Sequence, residues 1–345
     1  VKERSNDRRV TMQDIARETG YSVNTVSHAL RGLSDISPAT RDMIRETAQR
    51  MGYMGNQVAS SLRSGRTHTL AVILGSLVNP FYGAVADHLQ TCAQARGYSL
   101  TMMCSREDPK LEQELVENAI ARRADGILLF PTNASAATVE RLRTLGFPYV
   151  LLSRTFGEGL DDCVVADEEA GGRLAAEHLL AHGSDSVAYI ARRAIVFSGD
   201  ARLKGFLRAC DDLGVPEDHR RFSVLAPDGS LDDSFERVAV QTLTEWRHEG
   251  VNGLCAFNDI EACQIRSMID TYPALKGWDV GIVSFDSVQA CHFYPSPLCS
   301  VSADYGEMAE KAIDLLRERI HGDTRPPRTV VCPVHLDCRG SCLRP

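Results

Sequence analysis

Apolar residues recur through the first 54 positions at steps of three and four, the spacing that lines one face of a helix. Met12, Ile15, Ala16 and Thr19 make one such stripe, with Thr11 placed to cap it and Gly20 to end it. Ser22 caps a second helix carrying Val23, Val26 and Leu30 on one face, which stops near Gly32. Ser37-Pro38 opens a third, a cap followed by proline at the first helical position, with Ile44, Thr47, Ala48 and Met51 inward and Gly52 closing it. Two short helices joined by a tight glycine-containing turn and buttressed by a third predict a helix-turn-helix. The second helix is the expected reader. Its outward residues Ser22, Asn24, Thr25, Ser27 and His28 are small or polar hydrogen-bonding types, whereas a helix facing only water carries more Glu and Lys.

From Leu70 the pattern changes to short runs of β-formers between amphipathic helical stretches. The runs fall at 70–74, 99–103, 126–130, 149–152, 163–166, 187–191, 253–257 and 280–285. This alternation predicts an α/β fold of βαβ units, arranged as two doubly wound parallel sheets. Ligands of such folds bind beyond the carboxyl ends of the strands, so a cleft between the two halves is the expected site.

Composition narrows the class. With 345 residues the chain is long enough for two or three domains, and its 43% hydrophobic and 24% charged content suits folded domains rather than disorder. No apolar run approaches the ~20 residues of a membrane span, so no membrane partner is expected. The charged start, Val1 to Arg9, lacks an apolar signal core, which predicts a cytoplasmic protein whose eleven cysteines are reduced thiols. The net charge of −8 is unevenly spread: residues 1–66 carry 11 Lys and Arg against 7 Asp and Glu, a net +4, and the remainder is −12. A basic head on an acidic body suits a chain whose head alone meets an anionic polymer.

Several segments, in order, carry a family resemblance: Val10 to Leu30, Ser37-Pro-Ala-Thr-Arg41, Met51-Gly-Tyr53 and Asn56 to Arg66. It continues in Asn79-Pro-Phe-Tyr82, Arg122 to Ile127, Asp167 with Ala170-Gly171, Arg202 to Phe206, Asn258-Asp259 and Ser284-Phe-Asp286. With these the chain resembles the LacI/GalR family of bacterial transcriptional regulators. The resemblance implies a homodimer with two DNA-binding heads and a core built like a periplasmic sugar-binding protein, whose lobes exchange strands near the chain's end. It divides the chain into a helix-turn-helix domain at 1–54, a hinge helix and linker at 55–66, and an effector-binding and dimerisation core at 67–345. Lobe one is then expected at about 67–165 and 300–328, and lobe two at about 166–299 and 329–345.

The same resemblance assigns roles. Val23 and Asn24 meet base edges, Ser22, Thr25 and Ser27 offer hydroxyls to phosphates, and Thr11 and His28 join the DNA-binding set. His28 departs from a frequent arginine, exchanging a two-pronged guanine contact for one ring edge. Asn56 to Leu62 forms the hinge. So short a helix is unstable alone, and it is expected to fold only when two copies pair on the minor groove of double-stranded operator DNA. There Leu62 wedges between base pairs, Asn56, Val58 and Ala59 support it, and Arg63 and Arg66 follow phosphates. The implied effector contacts are Phe81, Tyr82, Ser153, Arg154, Arg202, Asn258 and Asp286, types suited to a polar, hydroxyl-rich small molecule. Sugar-responsive relatives often carry Asp-Arg where this chain has Ser153-Arg154. The lost carboxylate opens an alternative in which Arg154 and Arg202 face an anionic effector, such as a sugar acid or phosphate. Expected, then, is a regulator, by family default a repressor, controlled by a small polar ligand.

Other residue clusters offer competing chemistry. Cys332, His335, Cys338 and Cys342 could supply four zinc ligands, but they lie in a stretch that reads as a strand, where Cys332 and His335 point to opposite faces. His178 and His182 sit four apart on a predicted helix, yet the segment reads as an ordinary helix end. The sequence therefore leads us to expect no metal and no cofactor. No G-x-G-x-x-G, Walker loop or G-x-S-x-G motif is present, and no nucleophile with its base is assembled, so an enzyme is not expected. A transport or chemoreceptor binding protein would need an export signal and no DNA head.

Overall fold

The structure, a computed structural model, describes residues 10–53, 65–132, 136–157, 159–193, 197–226, 234–288 and 297–342. Residues 1–67 and 68–345 form two compact units.

In the first unit, α1 (Met12–Thr19), α2 (Val23–Arg31) and α3 (Pro38–Arg50) pack around Ile15, Ala16, Val26, Ala29, Ile44 and Ala48. The terminators act where the sequence puts them. Thr11 and Asp14 form a reciprocal capping box, Ser22 caps α2, Ser37 caps α3 ahead of Pro38, and Gly20 and Gly32 close α1 and α2. The expected hinge residues Asn56, Val58, Ala59, Leu62 and Arg63 lie outside the described residues.

The second unit alternates strand and helix. Along the chain come β1 (Thr69–Leu74), α4 (Pro80–Ala95), β2 (Ser99–Cys104), α5 (Pro109–Ala121), β3 (Gly126–Leu129), α6 (Ala136–Leu145), β4 (Tyr149–Leu152) and β5 (Cys163–Ala166). There follow α7 (Glu168–Ala181), β6 (Val187–Arg193), α8 (Phe197–Asp212), β7 (Arg220–Ala226), α9 (Ser234–His248), β8 (Gly253–Ala256), α10 (Asp259–Thr271), β9 (Gly281–Phe285) and β10 (Cys299–Ala303). The chain then adds α11 (Tyr305–Ile320), β11 (Thr329–Cys332) and β12 (Val334–Asp337). The strands form two six-stranded sheets, ordered β11-β5-β4-β3-β1-β2 and β12-β10-β9-β8-β6-β7. Every pairing is parallel except that of β12 with β10. Central strands such as β1, Thr-Leu-Ala-Val-Ile-Leu, are almost wholly buried, as parallel strands covered on both faces must be.

The strand pairing moves the boundaries expected near the chain's end. Residues 299–303 pair with β9 in the second sheet, so the first crossing back falls after Ala303 rather than at 300. Residues 329–332 return to the first sheet beside β5, with Thr329 opposite Cys163, and only β12 joins the second. The reason lies in the helix between. α11 buries Met308, Ala309, Ala312, Ile313 and Leu316 against Leu70, Leu128 and Val150 of the first sheet, and a short connection from it reaches the vacant edge of β5.

Candidate functional site

A cavity of about 90 Å³ opens where the carboxyl ends of both sheets meet, lined by side chains from each. β1 leads into α4, where Asn79 caps the helix by accepting from Phe81 N at 3.0 Å and so fixes Phe81 and Tyr82 at its first turn. Phe81 meets Tyr82, Phe130 and Tyr305 edge-on, with ring centroids 5.2, 6.3 and 5.5 Å apart. β4 delivers Ser153 and Arg154, β8 Phe257 and Asn258, β9 Phe285 and Asp286. Arg202 arrives from α8 and Glu168 from the first turn of α7.

That last approach depends on two glycines. A Cβ on Gly172 of α7 would stand 1.9 Å from Arg202 O, and one on Gly205 of α8 would stand 1.9 Å from Glu169 O. The two backbones therefore touch, which brings Arg202 to Glu168. The pair is two-pronged: Arg202 Nε donates to Glu168 Oε2 at 2.5 Å and Nη2 to Oε1 at 3.1 Å, while Nη1 donates to Phe257 O at 2.7 Å. The guanidinium also lies over the Phe285 ring at 4.3 Å and the Phe257 ring at 5.1 Å. Across the cavity, Arg154 donates through Nη1 and Nη2 to the two oxygens of Glu107 at 2.8 and 3.0 Å, and Tyr82 OH donates to Glu107 Oε1 at 2.9 Å.

Two strand-end residues take left-handed backbone that glycine would adopt more easily, Ser153 at φ 63° and Asp286 at φ 93°. Both turn their side chains into the cavity. Ser153 Oγ is buried with no hydrogen-bond partner among the described residues. Asp286 Oδ1 lies 3.5 Å from Arg202 Nη2, and burial pushes its carboxyl up to about 7 against the pull of Arg202. Beneath it, buried Asp259 accepts from Ser300 Oγ at 2.7 Å and from Val288 N at 2.7 Å, tying down the loop that presents Asp286.

The structure thus gathers Phe81, Tyr82, Ser153, Arg154, Arg202, Asn258 and Asp286 into one cavity. Sequence reasoning missed the two glutamates that neutralise its arginines. Glu107 is 47 residues from Arg154, and Glu168 is 34 from Arg202, so no local spacing betrays either. Asn258, besides lining the cavity, caps α10, its Oδ1 accepting from Glu261 N at 2.9 Å.

On the head, Ser22, Val23 and Asn24 are exposed at the start of α2, with Thr25 half-buried beside them. Thr25 N donates to Ser22 Oγ at 3.1 Å, and the Thr11 hydroxyl donates to Asp14 at 2.7 Å, so Ser22 and Thr11 also serve as caps. Ser27, expected to face outward, is buried at 8% exposure. It follows Val26 on the side of α2 that meets the other helices. His28 Nδ1 lies 2.5 Å from Asp35 Oδ2, and an ionised carboxylate can only accept, so Nδ1 carries the hydrogen and Nε2 stays outside this contact. The contact holds the Asp35 carboxyl below its usual range. Asp35, outside the recognition helix, was not legible as the partner of His28.

Cys332 and His335 belong to different sheets, on β11 and β12, so the quartet weighed from the sequence is not assembled.

Among known proteins, residues 11–56 match the family model for bacterial regulatory proteins of the lacI family, and residues 176–342 match that for a periplasmic binding protein-like domain. The chain is 26% identical to the HTH-type transcriptional regulator DegA of Bacillus subtilis (strain 168), over 96% of this chain and 98% of that one. A solved lac repressor dimer, bound to operator and the anti-inducer ONPF, is similar with a TM-score of 0.80 at 22% identity, covering 97% of this chain and 100% of that one. A transcriptional regulator CelR–cellobiose complex is similar with a TM-score of 0.68 at 24% identity, covering 96% and 100%.

Proposed function

Because this chain belongs to the LacI family of bacterial regulatory proteins, and so is a DNA-binding transcriptional regulator rather than an enzyme, we propose that a small neutral, hydroxyl-rich ligand between its two sheets sets its grip on operator DNA. The observation that carries the ligand class is the pairing of the cavity's charges. Both guanidiniums are already met two-pronged by glutamates, and Asp286 adds a further acid beside Arg202. Among the described lining residues, a sugar acid or phosphate meets no unpaired cation, which favours a neutral ligand over the anionic alternative raised by Ser153-Arg154. A sugar-like molecule finds instead the Ser153 hydroxyl and the Asp286 carboxyl, with aromatic residues around them.

In this reading the protein is a cytoplasmic homodimer that represses, with each head placing Val23, Asn24 and His28 on a half-site. Asn56 to Leu62 folds as the hinge, and Leu62 wedges the minor groove. The ligand biases the angle between the lobes, which changes how readily the paired hinges fold. Support comes from the exposed start of α2 and from the likeness to a lac repressor dimer bound to operator.

Fluorescence anisotropy of the full chain on its own upstream DNA, with neutral sugars, sugar acids and sugar phosphates of matched skeleton, tests the reading. Salt-sensitive binding with two subunits per site, shifted by a neutral sugar and made unresponsive by Leu62→Ala, is the expected result. A sugar phosphate or acid that shifts binding more strongly than its neutral parent overturns the ligand class. Binding that Leu62→Ala leaves untouched overturns the hinge.

A further inference from the structure

Two pairs of side chains that lie some 160 residues apart in the sequence meet at the β12 edge of the second sheet. His178 and His182 sit one helical turn apart at the end of α7, so their rings share a face, with centroids 4.1 Å apart. Cys338 and Cys342 follow β12 in a turn where Gly340 takes φ 95°, a conformation open to glycine, and their Sγ atoms are 3.7 Å apart. One ligand atom from each residue, two imidazole nitrogens and two sulfurs, lies within 4.8 Å of every other.

Three details distinguish this from chance packing. A tetrahedral zinc ion, with bonds of about 2.3 Å to sulfur and 2.0–2.1 Å to nitrogen, separates its donors by roughly 3.3–3.8 Å, and the sulfur pair already stands at that spacing. His182 Nδ1 is 2.8 Å from His178 O, the kind of backbone contact that fixes a ligating imidazole and leaves Nε2 to the ion. His178 Nε2 is buried with no hydrogen-bonding oxygen or nitrogen among the described residues, and its side chain lies in a cluster of sulfurs that includes Cys299. The spacings His-x3-His and Cys-x3-Cys also fall in the range of structural zinc sites.

We propose that His178, His182, Cys338 and Cys342 form a metal site for zinc or an ion of similar softness, which staples the segment after β12 to α7. Thiolate and imidazole donors select such ions over magnesium or calcium, which take oxygen ligands. The ligands are bound as thiolates and neutral imidazoles, so loading the site releases the two thiol protons to solvent. The helix so fixed begins at Glu168, the partner of Arg202, and the staple steadies one wall of the cleft.

The competing use of the same atoms is a disulfide, either Cys338–Cys342 or Cys338 with Cys299 of β10, whose sulfurs are 3.8 Å apart. Elemental analysis of the untagged full chain, purified under reduction, is expected to find one zinc per chain. Cobalt titrated into stripped protein should give tetrahedral d–d bands and thiolate-to-cobalt charge transfer. Cys338→Ser, at an exposed position that the fold tolerates, should weaken cobalt binding at least about tenfold and lower the charge-transfer intensity. His182→Gln should weaken binding similarly while keeping that band, and Cys92→Ser should change neither. Reduced protein that takes up no stoichiometric metal with a thiolate band overturns the site, as do variants that bind as tightly as the parent. Alkylation and mass mapping of freshly lysed cells that find either disulfide formed also overturn it.

Discussion

Asp286 holds a carboxyl among apolar and aromatic side chains, and its burial raises its proton affinity to about 7 although Arg202 stands 3.5 Å away. Between its ordinary value near 4 and the value in the fold, the native chain holds a proton that the unfolded chain has released. Stability contributed by this residue is therefore full below pH 4, declines as pH rises through that window and is gone above 7. Asp286→Asn removes the titration. Urea melts from pH 4.5 to 7.5 should show a shallower decline for the variant than for the parent, and parallel profiles would refute the assignment. A ligand hydroxyl donating to the ionised form would also bind more tightly as pH rises through 7, because only the carboxylate offers both oxygens as acceptors.

At the scale of elements, contact between α7 and α8 sets the cleft. Gly172→Ala would put a methyl 1.9 Å from Arg202 O, on backbone that cannot swing aside, so α8 must shift and carry Arg202 away from Glu168. The expected cost is about 1–3 kcal/mol of stability with loss of ligand binding. Gly83→Ala on α4, where an added Cβ meets nothing within 4 Å, should instead be neutral or stabilise by roughly 0.5–1 kcal/mol. Equal effects in calorimetry would mean that helix propensity, not the close approach, governs both. The helices of the head and the apolar strands β1, β3, β4 and β5 were legible because caps and unbroken β-runs are local signals. β7 was hidden by the two arginines that open it, which pair with Asp211 of α8 and with Glu249 just after α9. β10 reads Cys-Ser-Val-Ser-Ala, and Ser300 is buried only because Asp259 accepts its hydrogen bond. Arginines and aromatics of the cleft could be found from motifs. Glu107 and Glu168 could not, since pairing at such sequence distance is decided by the tertiary fold. Ser27 was misplaced for a related reason: a small hydroxyl residue suits either face of a helix, and packing against α1 and α3 decides. No local spacing joins His178 and His182 to Cys338 and Cys342, and only the pairing of β12 with β10 brings them together.

For the core as a whole, the chain passes between the two sheets after β5, after β10 and between β11 and β12. Three passages resist separation of the sheets and leave their relative rotation as the softer motion. At about 90 Å³ the cavity is smaller than the roughly 300 Å³ at the low end for ligand sites, so the ligand proposed above would need that rotation to fit. Because each sheet borrows a strand from the last residues, calorimetry should show one cooperative transition for residues 68–345, raised by ligand, and not one per lobe. Two core transitions would show that the shared strands do not couple them. The same borrowing constrains birth at the ribosome. Thr329–Cys332 and Val334–Asp337 form an edge of each sheet, so in a nascent chain β5 waits with a bare edge until β11 emerges, and β10 until β12 does. Bare edges are templates for other strands. A message cut short between β10 and β11 thus yields not a nearly finished regulator but a chain with two sticky margins, a substrate for chaperones and proteases.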